Sequence, residues 1–351
     1  MSEFWSKGLT TLEPYVPGEQ PKITSLTKLN TNENPYGPGP AVASALAEFD
    51  ADRLRLYPDP SSQLLRETIA NYHAVPAEQV FVGNGSDEVL AHVFRGFFKR
   101  ELPIFFPDIT YSFYPVYCKL FDIPYETIAL QDDFSIALKA YPAHNSGVIF
   151  ANPNAPTGKL LALADVESFL RINTRSVVVV DEAYIDFAAD GASAIAMVSK
   201  FPNLLVVRTL SKSRALAGLR LGYAIGSEQL IEGLNRVKDS FNSYPIDQLA
   251  SALAIASFSD QAYFQKIVAD VIKQREWLLA ELIEIGYSAI PSAANFLMCK
   301  PPSAAVEVAQ SLREQGVIVR YFDKPRLSDY LRITVGNESQ NKQLIKALKN
   351  I

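Results

Sequence analysis

Cysteine is scarce. Cys118 and Cys299 are the only two in 351 residues, and they lie far apart with no CxxC or Cys/His ligand spacing. The chain therefore offers neither a disulfide framework nor a thiolate metal site, and both thiols are expected to be reduced and structural. Long apolar runs are missing as well. No segment approaches the roughly 18 uninterrupted apolar residues of a membrane span, and the opening MSEFWSKGLTTLEPYVPG lacks the apolar core of a secretion signal. A cytoplasmic protein without membrane contact is expected. Basic residues are not in excess either: 33 Lys+Arg against 38 Asp+Glu leave a net charge of −5. That offers no global field to nucleic acid or to an anionic membrane, so a small anionic ligand would need dedicated arginines or helix ends. There is no internal repeat and no low-complexity tract.

What is present has the balance of a soluble globular protein, 48% hydrophobic and 20% charged, at a length that suits one large and one small domain. Residues 1–35, with EPYVPGEQPK and the first part of NTNENPYGPGP, which runs on to residue 40, are rich in Pro, Gly and Asn and read as an extended arm able to wrap a neighbour. From about residue 41 helical stretches (AVASALAEF, then SSQLLRETIANYHA with Ser61 or Ser62 as cap) alternate with short apolar runs. The strand candidates are QVFVG, LPIFFP, SGVIFANP, SVVVVDEA, NLLVVRTLS and LGYAIG. That rhythm predicts an α/β fold, a mostly parallel sheet flanked by helices, over residues 36–243. After Pro245 a long helical region leads to ANFLMCK, a further helix, VIVRYF and LRITVG, which predicts a smaller α+β domain over residues 244–351.

Several strand ends carry chemistry. In VVVVDEAYIDF four valines run straight into Asp181. Such an unbroken run suits a strand covered on both faces, and ligands of parallel sheets bind at the strands' carboxyl ends. Asp181 either meets a ligand there or caps the next element. In TLSKSRALAGLRLGY, Lys212 follows an apolar strand, where partial burial would make its amine a nucleophile, and Ser211 and Arg220 supply a hydroxyl and a planar fork suited to phosphate. A solvated loop lysine is the alternative.

GNGSDE follows the strand VFV and opens a helix, where backbone N–H groups can approach a phosphate. It is no dinucleotide fingerprint, because Glu88 stands where the third glycine would, and no GxxxxGK[ST] occurs. NPNAPTG (152–158) is a rigid turn that presents an asparagine at the same edge. Tyr111, after IFF, either stacks on a flat ring or packs in the core. Together these parts match a ring bearing a phosphate, an aldehyde and a basic nitrogen, with Asp181 keeping that nitrogen protonated.

The chain resembles the fold-type I enzymes that depend on pyridoxal 5′-phosphate and, within them, the histidinol-phosphate aminotransferases. The resemblance runs nearly end to end through LEPYVPG, LNTNENPYGP, LYPDP, GNGSDE, the TYSFY region, NPNAPTG, VVVVDEAYIDF, TLSKSRALAGLRLGY, GVIVRYF and LRITVG. It implies that Lys212 carries the cofactor as a Schiff base and moves the proton between substrate and cofactor. Asp181 would pair with the ring nitrogen, Tyr184 with the phenolic oxygen, and Tyr111 would stack on the ring. The phosphate would take the Ser86 and Asp87 backbone, Ser211 and Arg220, with Tyr57 reaching across from the partner of a homodimer, against which the arm would also pack.

For substrate, the resemblance assigns Arg332 to the α-carboxylate of glutamate and Arg320 to the phosphate of histidinol phosphate, with Tyr15 and Asn34 as further contacts. Many relatives read NPNNPTG where Ala155 stands here, and Asn154 is expected to substitute from the preceding position. The implied reaction exchanges an amino group between histidinol phosphate and 2-oxoglutarate, without nucleic acid, membrane or metal. An aromatic amino acid aminotransferase, a threonine-phosphate decarboxylase and a cofactor-binding regulator without turnover are the rivals.

Overall fold

A computed structural model describes residues 3–6, 8–15, 18–19 and 26–351. Part of the expected arm lies outside these residues. Strand β1 (Thr27–Leu29) precedes β2 (Val80–Gly83), β3 (Ile104–Pro107), β4 (Tyr125–Ile128), β5 (Gly147–Ala151), β6 (Val177–Asp181), β7 (Leu204–Thr209) and β8 (Gly222–Gly226). The last seven form one sheet in the order β2-β8-β7-β6-β5-β3-β4. All neighbours are parallel except at β8, which runs antiparallel to β2 and β7. The carboxyl ends of β2, β3, β5, β6 and β7 and the start of β8 therefore share one edge, where the ligand crevice of a parallel sheet opens.

The valine run has a direct packing reason. Val178, Val180, Leu204 and Val206 enter the core on one face of the sheet, and Val179, Leu205 and Val207 enter the core on the other. Strand side chains alternate between faces, and here both faces are covered. Each such side chain withdrawn from water contributes roughly 1.5–3 kcal/mol. The edge strand β4 shows no such run because three of its four residues are exposed.

A second sheet follows from β9 (Ser288–Ile290), β10 (Phe296–Lys300), β11 (Val317–Tyr321) and β12 (Leu331–Thr334), in the order β1-β11-β12-β10-β9. Its strands pair antiparallel except β1, which comes from the expected arm and lies parallel to β11 with Thr27 opposite Val317. Leu29, Leu278, Leu297, Val317, Ile333 and Leu344 form its core.

Three details differ from the sequence-based expectations. Helix Gln63–His73 is capped neither by Ser61 nor by Ser62, whose backbone is left-handed (φ 46); Asp59 accepts from Gln63 N at 2.8 Å instead. The long helical region after Pro245 is two helices, Gln248–Ser259 and Gln261–Glu284, separated at Asp260, whose carboxylate accepts from Tyr263 N. The first of them, expected within the smaller domain, buries Ala250, Leu253, Ala254 and Phe258 in the core of the large sheet. Its apolar faces are complementary to helices Pro40–Ala47 and Gln63–His73, and that pairing outweighs nearness in sequence. No helix among the described residues is long and apolar enough to cross a membrane.

Candidate active site

Asp181 ends β6 at 4% exposure. Tyr114 donates its hydroxyl to Oδ2 at 3.0 Å and Ala183 N donates to Oδ1 at 3.2 Å. Burial nevertheless pushes the carboxyl up to about 6, against the pull of those two donors. Lys212 pulls the same way as the two donors, but burial outweighs all three and leaves room for a closer cation. A protonated ring nitrogen supplies one.

Lys212 follows β7 by three residues. Its Nζ donates to the Thr31 carbonyl at 3.3 Å and sits 5.6 Å from the Tyr184 ring centroid. Among the described residues no carboxylate forms an ion pair with it, which leaves the amine available. The loop that carries it is fastened to the Asp181 loop by a buried polar network. Arg208 on β7 pairs with Asp186 and, at 3.6 Å, with Glu182, and Ser213 donates to Asp186.

The phosphate cradle depends on two close approaches. Gly85 is left-handed (φ +80), and a Cβ there would come within 2.6 Å of Arg220 Nη2; a Cβ on Gly222 would come within 2.3 Å of Ser86 N. Only glycine lets the helix start Gly85–Val93, its free N–H groups and the Arg220 guanidinium converge. Arg220 Nη2 lies 3.2 Å from Asp87 Oδ2, and Tyr111 donates its hydroxyl to Asp87 Oδ1 at 2.8 Å. Burial, with Asp87 beside it, holds the Tyr111 hydroxyl protonated far above the usual phenol range. Ser211 is buried, its Oγ accepting from Thr209 at 3.0 Å.

Arg320 and Arg332 are cross-strand partners on β11 and β12. Arg332 donates from Nη2 to the Asn30 carbonyl at 2.8 Å, while its Nε is buried without a partner among the described residues. Desolvation lowers the pKa of this guanidinium, and the neighbouring Arg320 lowers it further. A fork with an unused buried donor suits an anion. Tyr15 lies close enough to Arg332 to act on the guanidinium's electrostatics and packs its ring 4.8 Å from Phe113.

Three of the expected site residues have clear partners within this chain. Asn154 is fully buried, and its amide donates to the Ile109 carbonyl and Thr157 Oγ1 while Oδ1 accepts from Thr110, so the side chain ties its own loop to Ile109 and Thr110. Ala155 packs with Tyr184, Phe187 and Phe296 in an apolar cluster. Asn34 donates to the carbonyls of Lys212 and Ser213 at 3.1 and 3.2 Å and so fastens the lysine loop. Tyr57 is 83% exposed and stacks on Tyr244. Sequence reasoning missed Tyr114, Thr31 and Asn32, the last donating to the Tyr184 hydroxyl at 3.1 Å; single polar residues in an aromatic or Asn-rich stretch carry no local signal of such contacts.

A raised acid, a free amine, a phosphate cradle and a pair of unpaired arginines fit pyridoxal 5′-phosphate with an anionic amino-group donor. The profile of aminotransferase class I and II, the class such a strand-end lysine and acid define, matches residues 24–348. A histidinol-phosphate aminotransferase of Hydrogenovibrio crunogenus is 57% identical over 352 residues, covering 100% of this chain and 98% of that protein. One from Pseudomonas fluorescens is 55% identical over 349 residues, covering 99% of each. The crystal structure of histidinol-phosphate aminotransferase from Sinorhizobium meliloti in complex with pyridoxal-5′-phosphate superposes with a TM-score of 0.89 at 23% identity, over 100% of this chain and 98% of that one. The chain belongs to the histidinol-phosphate aminotransferases.

Proposed function

We propose that the chain transfers the amino group of L-histidinol phosphate to 2-oxoglutarate, giving imidazole acetol phosphate and L-glutamate, in histidine biosynthesis, with pyridoxal 5′-phosphate as cofactor. The observation that carries this reading is the Arg320–Arg332 pair, side by side on β11 and β12 without a carboxylate among the described residues. One substrate brings a phosphate and the other a carboxylate to the same place, and arginine forks accept either.

Bound beside Lys212, pyridoxal phosphate supplies an electron sink that acidifies the hydrogen on the substrate's amine-bearing carbon. The chain's residues do the rest. Asp181 holds the proton on the ring nitrogen, an acid that burial leaves in want of a positive partner. The Lys212 amine would take the proton from the substrate carbon and return it to the carbon on the far side of the nitrogen, two atoms further on, as a positioned general base and acid. Tyr184 would donate a hydrogen bond from its hydroxyl to the ring's phenolic oxygen. Tyr111 covers the ring face. Ser86 and Asp87 N–H, Ser211 and Arg220 bind the cofactor phosphate. Arg332 takes the glutamate α-carboxylate and Arg320 the histidinol phosphate group, with Tyr15 beside them.

A cytoplasmic homodimer is part of the proposal. Tyr57, exposed and stacked on Tyr244, is the residue offered to the partner's cofactor phosphate.

The test is a titration of the cofactor's visible absorbance in the loaded protein. L-histidinol phosphate should bleach the band at low concentration, 2-oxoglutarate should restore it, and L-phenylalanine should act much more weakly. An equal or stronger response to phenylalanine would replace the reading with an aromatic aminotransferase, and release of carbon dioxide would replace it with a decarboxylase.

A further inference from the structure

Asn32 is 1% exposed, yet its backbone is left-handed (φ 57), a conformation that glycine adopts freely and asparagine tolerates. An asparagine there makes sense where the side chain is used, and every polar group of the residue is engaged. Its N–H donates to Thr334 Oγ1 at 3.0 Å, and that hydroxyl donates back to Asn32 Oδ1 at 3.1 Å. Its carbonyl accepts from Asn295 Nδ2 at 3.1 Å. With Oδ1 committed to Thr334, the amide NH2 faces the other way, and Nδ2 donates to the Tyr184 hydroxyl oxygen at 3.1 Å.

A phenol that accepts a hydrogen bond from an amide cannot return its own proton to that amide, so the proton is directed elsewhere. We infer that Asn32 is a positioning residue for the reaction, held by Thr334 so that the Tyr184 O–H points at the phenolic oxygen of the bound cofactor. The inference rests on the proposed function and deepens it. With alanine at 155 and the Asn154 amide tied into its loop, Tyr184 is the donor on which that oxygen depends, and the direction of its proton matters correspondingly. Thr334 stands two residues after Arg332 on β12, on the same face of the strand. The anion clamp and the ring oxygen are thereby tied through one strand and one amide. The charged groups around Tyr184 are Lys212, 5.6 Å from its ring centroid, and Arg332, whose electrostatics it affects; Asp181 lies three residues earlier.

The test is the pH midpoint of the cofactor's visible absorbance in the holoenzyme without substrate. Asn32→Asp keeps the shape and the acceptor for Thr334 but accepts from Tyr184 where the amide donated, turning the phenol proton around. The midpoint should rise by about one pH unit, the loss of one hydrogen bond to a charged acceptor. Tyr184→Phe should raise it by as much or more, and the double variant should rise no further than Tyr184→Phe alone, because both changes remove the same bond. Thr334→Val, which frees the amide without adding charge, should shift the midpoint the same way by less, and Thr334→Ser should restore it; this pair serves if Asn32→Asp does not fold. Unchanged midpoints in Asn32→Asp and Thr334→Val would overturn the inference, as would an Asn32→Asp shift that persists in full on the Tyr184→Phe background. A wild-type protein that acquires no visible chromophore with pyridoxal phosphate would overturn the proposed function itself.

Discussion

Arg320 and Arg332 face each other across the β11–β12 ladder, with both guanidiniums within 5.5 Å of the Phe322 ring centroid. Like charges directly opposite on a sheet oppose each other by roughly 0.2–1 kcal/mol, and the aromatic face offsets part of that. An anion between them relieves the rest.

Arg332→Gln should therefore separate binding from stability. The apoprotein should melt close to the wild-type temperature, while the KM for glutamate should rise about 30-fold or more, the equivalent of about 2 kcal/mol for a partly desolvated charge pair. Arg320→Gln should weaken histidinol phosphate more than glutamate. Steady-state kinetics on both half-reactions, with melting curves, check this.

Lys212→Ala should reduce turnover by at least about 10⁴-fold, since nucleophile and proton carrier are lost together. Borohydride reduction should add the cofactor's mass to the wild-type peptide containing residue 212 and to no peptide of the variant. Mass spectrometry of the digested proteins gives the answer.

The apoprotein should lose stability as pH rises from 4 to 7. Asp181 titrates near its ordinary 3.8 when unfolded and at about 6 when folded, so between those values the native state binds more protons than the unfolded one and rising pH favours unfolding. The stabilisation is complete below the unfolded value and lost as pH climbs through 6; for a shift from 3.8 to about 6 it amounts to about 3 kcal/mol. Glu182, pushed up to about 7 by burial, adds a similar slope slightly higher. Asp181→Asn should flatten the first part of this dependence. Denaturant titrations of the two apoproteins across that range would show it, and parallel slopes would refute the assignment.

Mixing Tyr57→Ala with Lys212→Ala protomers should regenerate cofactor retention and activity above that of either variant. If Tyr57 serves the partner's site, the mixed dimer contains one site with both residues intact. If it served its own, no such site would form. Activity of the re-associated, tag-selected mixed dimer decides.

The valine run, the glycines at 83 and 85 and the lysine after β7 were readable because each is a local pattern with a local cause: alternating faces that are both buried, a helix start that must admit a phosphate, and a strand end that opens on a crevice. The edge strand β4 and the short strands β1 and β9 were not, since a strand of three or four residues is too short to show a period. Helix Gln248–Ser259, grouped by sequence order with the carboxyl-terminal elements, packs on the core of the large sheet, because covering helices Pro40–Ala47 and Gln63–His73 is a property of three surfaces together.

By itself the sequence determined the sheet's character, the order of the strand-end motifs and the family, all carried by short-range pattern. Tertiary structure alone decided that Arg320 opposes Arg332, that Asn154 and Asn34 turn to loop carbonyls, and that Asn32 reaches Tyr184 across 152 positions. An amide can donate and accept in several directions, and only strand register and the neighbours packed around it select one.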